Sequence, residues 1–436
     1  MAKLWDKKDD HRDPELAKKA EEFTVGNDYE LDQYLIPHDV RASKVHARGL
    51  KRIGILSEDE LGELVQALDQ INELWEDDKF EIKREDEDGH TAIENYLIGE
   101  VGETGKKIHT GRSRNDQVLT ALRLYERDQL ELIWNRAMKV ARGFLDFAET
   151  HEYSPMPGYT HTQRAMLSSV GLWASSFAER IAMSLEYLPG IYRNVNRCPL
   201  GTAAGYGVSF ELPREFISDE LGFDGPIISS MTAQHTRGRL EAELLSGLLP
   251  LSESLSQFAG DLVWYTSREF DFFEVAAELC TGSSIMPQKK NVDTAEILRA
   301  RHAELEGALS QLKNVTRNLT SGYHRDLQLT KEPVIKGLNA LKDMLEMGHL
   351  LIRNISPKEG NLRAACTPEL FAADAVNEKV KQGKSFRDAY REVAGNLDEL
   401  KAVDPVENLR SKTHLGAPGN PGCKQIRDRL QQLELS

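Results

Sequence analysis

The chain has 436 residues, 40% hydrophobic and 29% charged, which fits a soluble globular protein of two to three domains. No run of about eighteen apolar residues offers a membrane span, and the charged N-terminus MAKLWDKKDDHRDPELAKK lacks the apolar stretch of an export signal, so a cytoplasmic location is expected. The net charge of −15 repels a nucleic-acid backbone, and a small anionic substrate too unless lysines or arginines gather locally.

In chain order, an N-terminal helical region (1–115) comes first. From Gln117 to about Ala148 there is no proline, and Leu130, Ile133, Trp134, Ala137, Ala141, Phe144 and Ala148 fall at helical spacing. A second helix is predicted from about Arg164 to Leu188, stopped by Pro189 and Gly190. A third spans Leu240 to about Thr266, with a bend at Pro250. A fourth carries Ile297, Leu298, His302, Leu305, Leu309, Leu312, Val315 and Leu319, and a fifth runs from Val334 to about Ile355. Helices of roughly 25–35 residues exceed the ordinary globular range, and such lengths make bundles that bury further surface between subunits. The predicted architecture is mostly α: a central long-helix bundle over 116–365, between the N-terminal region and a small C-terminal helical domain, 366–436. Strand signals are sparse. The cysteines Cys198, Cys280, Cys366 and Cys423 are scattered without zinc-type spacing, so reduced thiols are expected.

Polar, glycine-rich connectors separate the helices. "TGSSIMPQKKN" (281–291) sets a glycine and paired serines against Lys289 and Lys290, a combination suited to holding a carboxylate. A serine beside a lysine is also a plausible base. The bland alternative is a solvated loop with Asp293 capping the next helix. "HTGRSRNDQ" (109–117) places Arg112 and Arg114 around Ser113, with Asn115 or Asp116 as a helix N-cap, or as a second anion-binding turn. "GYTHTQRA" sets His161 between threonines in a polar turn entering a helix, where it could give or take a proton. "YHRDLQLTKEP" offers Tyr323, Arg325, Asp326, Gln328 and Lys331 as a pocket wall or as a salt-bridged face. HExxH and GxxxxGK[ST] are both absent, so neither a metal site nor a nucleotide-phosphate cradle is predicted.

These connectors, in this order, resemble the fumarase, aspartase and argininosuccinate lyase superfamily. "GSSIMPQKKN" resembles its signature loop, and Gln288-Lys289-Lys290 differs from the glycine-lysine-valine usual in fumarases and aspartases. "TGRSRNDQV" (110–118), "GYTHTQRA" and "YHRDLQLTKEP" are similar to the argininosuccinate lyases. "FTVGNDYELDQYL" (23–35), "GHTAIE" (89–94) and "HLGAPGNPG" (414–422) match more loosely. Some features depart from the pattern. Val292 stands where proline is usual, "SSMTAQHTRGR" (229–239) matches poorly, and the serine common near "FTVGND" is not evident.

The resemblance implies a homotetramer around a shared helical core, with several subunits contributing to each active site. It implies cofactor-free cleavage of argininosuccinate to arginine and fumarate through a carbanion. It further implies Ser283 and His161 as base and acid, assigned both ways within the family, with Lys289 facing the developing charge and Glu296 orienting the histidine. Arg114, Asn115, Thr160, Asn291, Tyr323, Gln328, Lys331 and His90 correspond to substrate-binding positions. The rival readings are another fumarate-releasing lyase, such as one acting on adenylosuccinate, or a non-catalytic crystallin-like relative.

Overall fold

A computed structural model describes residues 13–401 and 403–435. The first part of the charged N-terminal stretch, read above as lacking an export signal, lies outside them. Among the described residues no helix is long and apolar enough to cross a membrane, and all four cysteines are free thiols.

The apolar core of the N-terminal part is built on the helices α1 (Ile36–Arg52), α2 (Glu58–Glu76) and α3 (Gly89–Val101). Ile36, Val40, Leu64, Leu68, Ile71, Ile93 and Leu97 bury their apolar faces against one another. Then comes α4 (Arg114–Thr150), whose 37 residues make a rod of roughly 55 Å. Its cap is not Asn115 or Asp116 but Ser113. The Ser113 hydroxyl accepts the Asn115 N–H at 3.3 Å, and the Asp116 carboxylate reaches back to the Ser113 N–H at 2.8 Å. This reciprocal capping box satisfies more orphan donors than a lone cap would.

The predicted second helix begins six residues late. Residues Pro155–Thr160 (β1) and Gln163–Ser169 (β2) form an antiparallel hairpin, and the helix α5 runs only over Val170–Leu185. Its cap is Ser169, which accepts the Leu172 N–H at 3.1 Å. His161 therefore stands in a two-residue hairpin turn, not at a helix entrance. The chain continues through the short α6 (Ser230–His235), α7 (Arg239–Tyr265, with Pro250 inside), β3 (Phe273–Val275), α8 (Asp293–Val315), α9 (Lys331–Arg353) and β4 (Ile355–Pro357), which pairs with β3. Asp293 is the first residue of α8 rather than its cap; Val292 holds the cap position, and the Thr281 hydroxyl donates to the Asp293 carboxylate.

α4, α5, α7, α8 and α9 pack as one bundle. Phe144, Phe177 and Phe258 meet at its centre, Phe144 standing edge-on to Phe258 with ring centroids 4.8 Å apart. The C-terminal part holds α10 (Ala372–Lys381), α11 (Phe386–Ala394) and α12 (Cys423–Gln431). The last of these packs on α4 and α5. The long helices thus hold the connectors at the bundle's ends and edges.

Candidate active site

A cleft of about 280 Å³ opens where the first turns of α3, α4 and α9 converge. Six of the residues expected from the resemblance to bind substrate line it: His90, Arg114, Asn115, Tyr323, Gln328 and Lys331. Asp28, Asp32, Asp88, Arg237 and Arg325 line it with them, so both signs of charge face one space.

Lys331 is the deepest cation. It is 2% exposed and ion-paired to Asp32 at 2.6 Å and to Asp28 at 3.0 Å. Burial opposes its charge, but the two carboxylates outweigh that and raise its pKa. Burial pushes the Asp28 carboxyl up to about 6, with Lys331 pulling the other way. His90 Nδ1 meets the Asp39 carboxylate at 2.5 Å, and its buried Nε2 has no partner among the described residues. Burial disfavours the imidazolium, yet Asp39, Asp88 and Asp32 together raise the pKa. Asp39 is itself held by the Gln117 amide at 3.0 Å. Asp88 caps α3 by accepting the Thr91 N–H and pairs with Arg114 at 3.1 Å. The Gln328 amide N–H and the Arg325 guanidinium both donate to the Thr24 carbonyl, at 2.9 and 3.0 Å, tying the 23–27 segment over the cleft.

The remaining candidates lie elsewhere in the chain. Thr160 and His161 sit exposed at the β1–β2 tip. His161 and Thr162 both adopt positive φ, +53° and +60°, the geometry of a tight hairpin turn usually given to Asn-Gly. A β-branched threonine held there is strained, and such strain clusters at functional sites.

Ser283, Lys289 and Asn291 belong to a loop pinched at its neck, where Thr281 and Asn291 exchange backbone hydrogen bonds of 2.9 and 2.8 Å. The Ser283 hydroxyl accepts the Met286 N–H at 3.1 Å. Lys290 folds back onto the Val275 carbonyl at 2.8 Å, whereas Lys289 is exposed and its ammonium has no hydrogen-bond or ion-pair partner among the described residues. The Asn291 amide donates to the Gly282 carbonyl at 3.3 Å. Glu296 is exposed on the first turn of α8, and among the described residues it makes no hydrogen bond or ion pair with His161. None of Thr160, His161, Ser283, Lys289, Asn291 or Glu296 lines the cleft.

A family profile described as "Lyase" matches residues 18–307. An argininosuccinate lyase of Sorangium cellulosum is 41% identical over 99% of this chain and 99% of that protein. One of Thermotoga neapolitana is 41% identical over 90% of this chain and 97% of its own length.

The chain belongs to the argininosuccinate lyase family. Its fold is shared beyond that family. A crystal structure of EDDS lyase in complex with formate superposes with a TM-score of 0.79 at 22% identity, covering 94% of this chain and 90% of that one.

For this member of the argininosuccinate lyase family, sequence reasoning named Arg325 as a pocket-wall residue but missed Arg237, Asp28, Asp32 and Asp88. Arg237 falls in the 229–239 segment, to which no role could be given. It is 4% exposed, and its guanidinium stacks over the Tyr323 ring at 5.6 Å. The available signal was an arginine beside a glycine at a helix start, which is too common to single out.

Proposed function

We propose that this chain catalyses the reversible elimination that splits argininosuccinate into L-arginine and fumarate, the final step of arginine biosynthesis. The observation that carries the reading is the cleft itself. In a member of this family, six expected site residues share one space with carboxylates and guanidinium groups. Argininosuccinate bears carboxylates, an ammonium and a guanidinium, so it needs both signs of charge within reach. Arg237, Arg325 and Arg114 suit its carboxylates, and Asp28 and Asp88 suit its cationic groups.

In the proposed chemistry a base takes the proton from the carbon next to a carboxylate. The electron pair moves onto that carboxylate as the aci form. It returns to form the fumarate double bond, the C–N bond breaks, and the guanidino nitrogen takes a proton from an acid. Ser283 and His161 are the two groups proposed for these transfers, with Glu296 orienting His161. Lys289 and Asn291 meet the developing negative charge, where preorganised donors act most strongly. Thr160 binds substrate beside His161. Closure of the 281–291 loop would exclude water and strengthen these interactions.

In one protomer neither the hairpin tip nor the loop lines the cleft. A homotetramer in which neighbouring copies bring the hairpin and loop to each cleft reconciles this separation with one reaction centre. We place the enzyme in the cytoplasm and keep the division at 1–115, 116–365 and 366–436 as a three-domain proposal. The purified protein given argininosuccinate is expected to release fumarate and arginine in equal amounts, by ultraviolet absorbance and chromatography, and to release none from adenylosuccinate. Fumarate from adenylosuccinate alone would replace this reading with the rival lyase.

A further inference from the structure

One buried charge cluster takes no part in the chemistry above. Arg123 and Glu126 lie one turn apart on α4, and Glu241 lies in the first turn of α7. Arg123 is 1% exposed and both glutamates are 0% exposed. Arg123 Nη1 donates to Glu126 Oε2 at 2.5 Å and to Glu241 Oε1 at 3.3 Å, and Nη2 donates to the Thr236 carbonyl at 3.4 Å. Apolar side chains filling the same space would avoid the desolvation that three buried ionisable groups incur, so stability alone is a poor reason for the cluster.

The carbonyl that Arg123 holds suggests another. Thr236 immediately precedes Arg237, the guanidinium that lines the cleft over Tyr323. On the other side stands Gly238, at φ +78°. A Cβ there would lie 2.3 Å from Thr316 Cγ2 and 2.9 Å from Thr330 Cγ2, so the turn is boxed in by the residue after α8 and the residue before Lys331. The backbone of Arg237 is therefore held from one side by the Arg123 hydrogen bond and from the other by close packing.

We propose that Arg123, Glu126 and Glu241 form a positioning triad that fixes the 236–238 turn and so aims Arg237 into the cleft. Glu126 holds the guanidinium of Arg123 from its own helix. Glu241 ties it to the start of α7, directly after the turn. Arg237 then meets a substrate carboxylate with little rotamer freedom left to lose. The proposal rests on the cleft being the substrate site.

A double-mutant cycle tests it. R237A, R123M and the double variant are assayed for kcat and KM with argininosuccinate, beside melting curves. R237A is expected to raise KM at least about tenfold, the effect of one lost charge-assisted hydrogen bond. R123M is expected to raise KM about tenfold with kcat within about threefold, and R123K to recover part of the loss. In the R237A background, R123M should change KM by less than about twofold. Full multiplication of the two effects overturns the triad's role while leaving the cleft reading intact. An unchanged KM in R237A refutes Arg237 as a substrate contact, and the triad proposal with it. If R123M does not fold, E241Q, which keeps the shape but removes the charge that ties Arg123 to the start of α7, runs the same cycle with the same expected non-additivity.

Discussion

Lys331 Nζ lies 2.6 Å from Asp32 Oδ1, and each side chain is only 2% exposed. The same ammonium reaches Asp28, and Asp32 also accepts the Gly89 N–H at 2.9 Å, so one ion pair joins the starts of α3 and α9. Breaking a buried pair by removing one partner leaves an uncompensated charge. Lys331→Met should therefore destabilise the protein by about 3–5 kcal/mol, read from the shift of the denaturant midpoint. A loss under about 1 kcal/mol would mean that water reaches the pair.

The Ser283 hydroxyl makes only a local contact, accepting the Met286 N–H. Its removal should disturb the fold little. Ser283→Ala is expected to lower turnover at least about a hundredfold while melting temperature and oligomeric mass stay unchanged. Near wild-type turnover in this variant would remove Ser283 from the chemistry.

The two adjacent lysines of the loop differ. Lys290 is spent on the Val275 carbonyl, and Lys289 is exposed. Lys289→Met should reduce kcat by about 10²–10³, the scale of one lost charge-stabilising donor. Lys290→Met should act on loop anchoring and cost less than about tenfold. Equal losses in the two steady-state assays would contradict this division of labour.

His46 gives a pH dependence of stability. Burial and the Arg112 charge press its pKa down to about 3, against the hydrogen bond to the Thr110 carbonyl. The folded state thus holds it neutral, while the unfolded chain takes a proton below about 6.5. The stabilisation is complete above about 6.5 and is lost as pH falls from there toward 3. The slope is at most about 1.4 kcal/mol per pH unit. His46→Gln should flatten this acid limb in melting curves taken between about pH 7 and 5. An unchanged limb would show that other groups set it.

The long helices were legible because their apolar positions repeat at helical spacing, which the bundle then buries: Leu130, Ile133, Ala137, Ala141 and Phe144 are all fully buried. The hairpin was not legible. Gln163–Ser169 lacks clean alternation, its burial is irregular, and the His161-Thr162 turn carries none of the usual Asn-Gly signal. The capping box at Ser113 was written in Ser-Arg-Asn-Asp, but the neighbouring Asn115 and Asp116 competed for the same role. Seven cleft residues, Arg325 among them, could be named from motifs because they lie in or beside short polar connectors. Asp28, Asp32 and Arg237 could not, since only the meeting of segments far apart in the chain gives them a shared purpose. Glu296 and His161 were paired by resemblance, and among the described residues of one protomer no hydrogen bond or ion pair joins them.

Subunit mixing tests shared sites most directly. His161→Asn and Ser283→Ala proteins are each purified inactive, mixed, dissociated and reassembled, with exchange verified by mass. If the hairpin histidine and the loop serine of each site come from different copies, some mixed sites regain both groups, and fumarate release should rise well above that of either parent. No recovery after verified exchange would mean that both groups serve one site from a single chain, and the division of the site among protomers would be wrong.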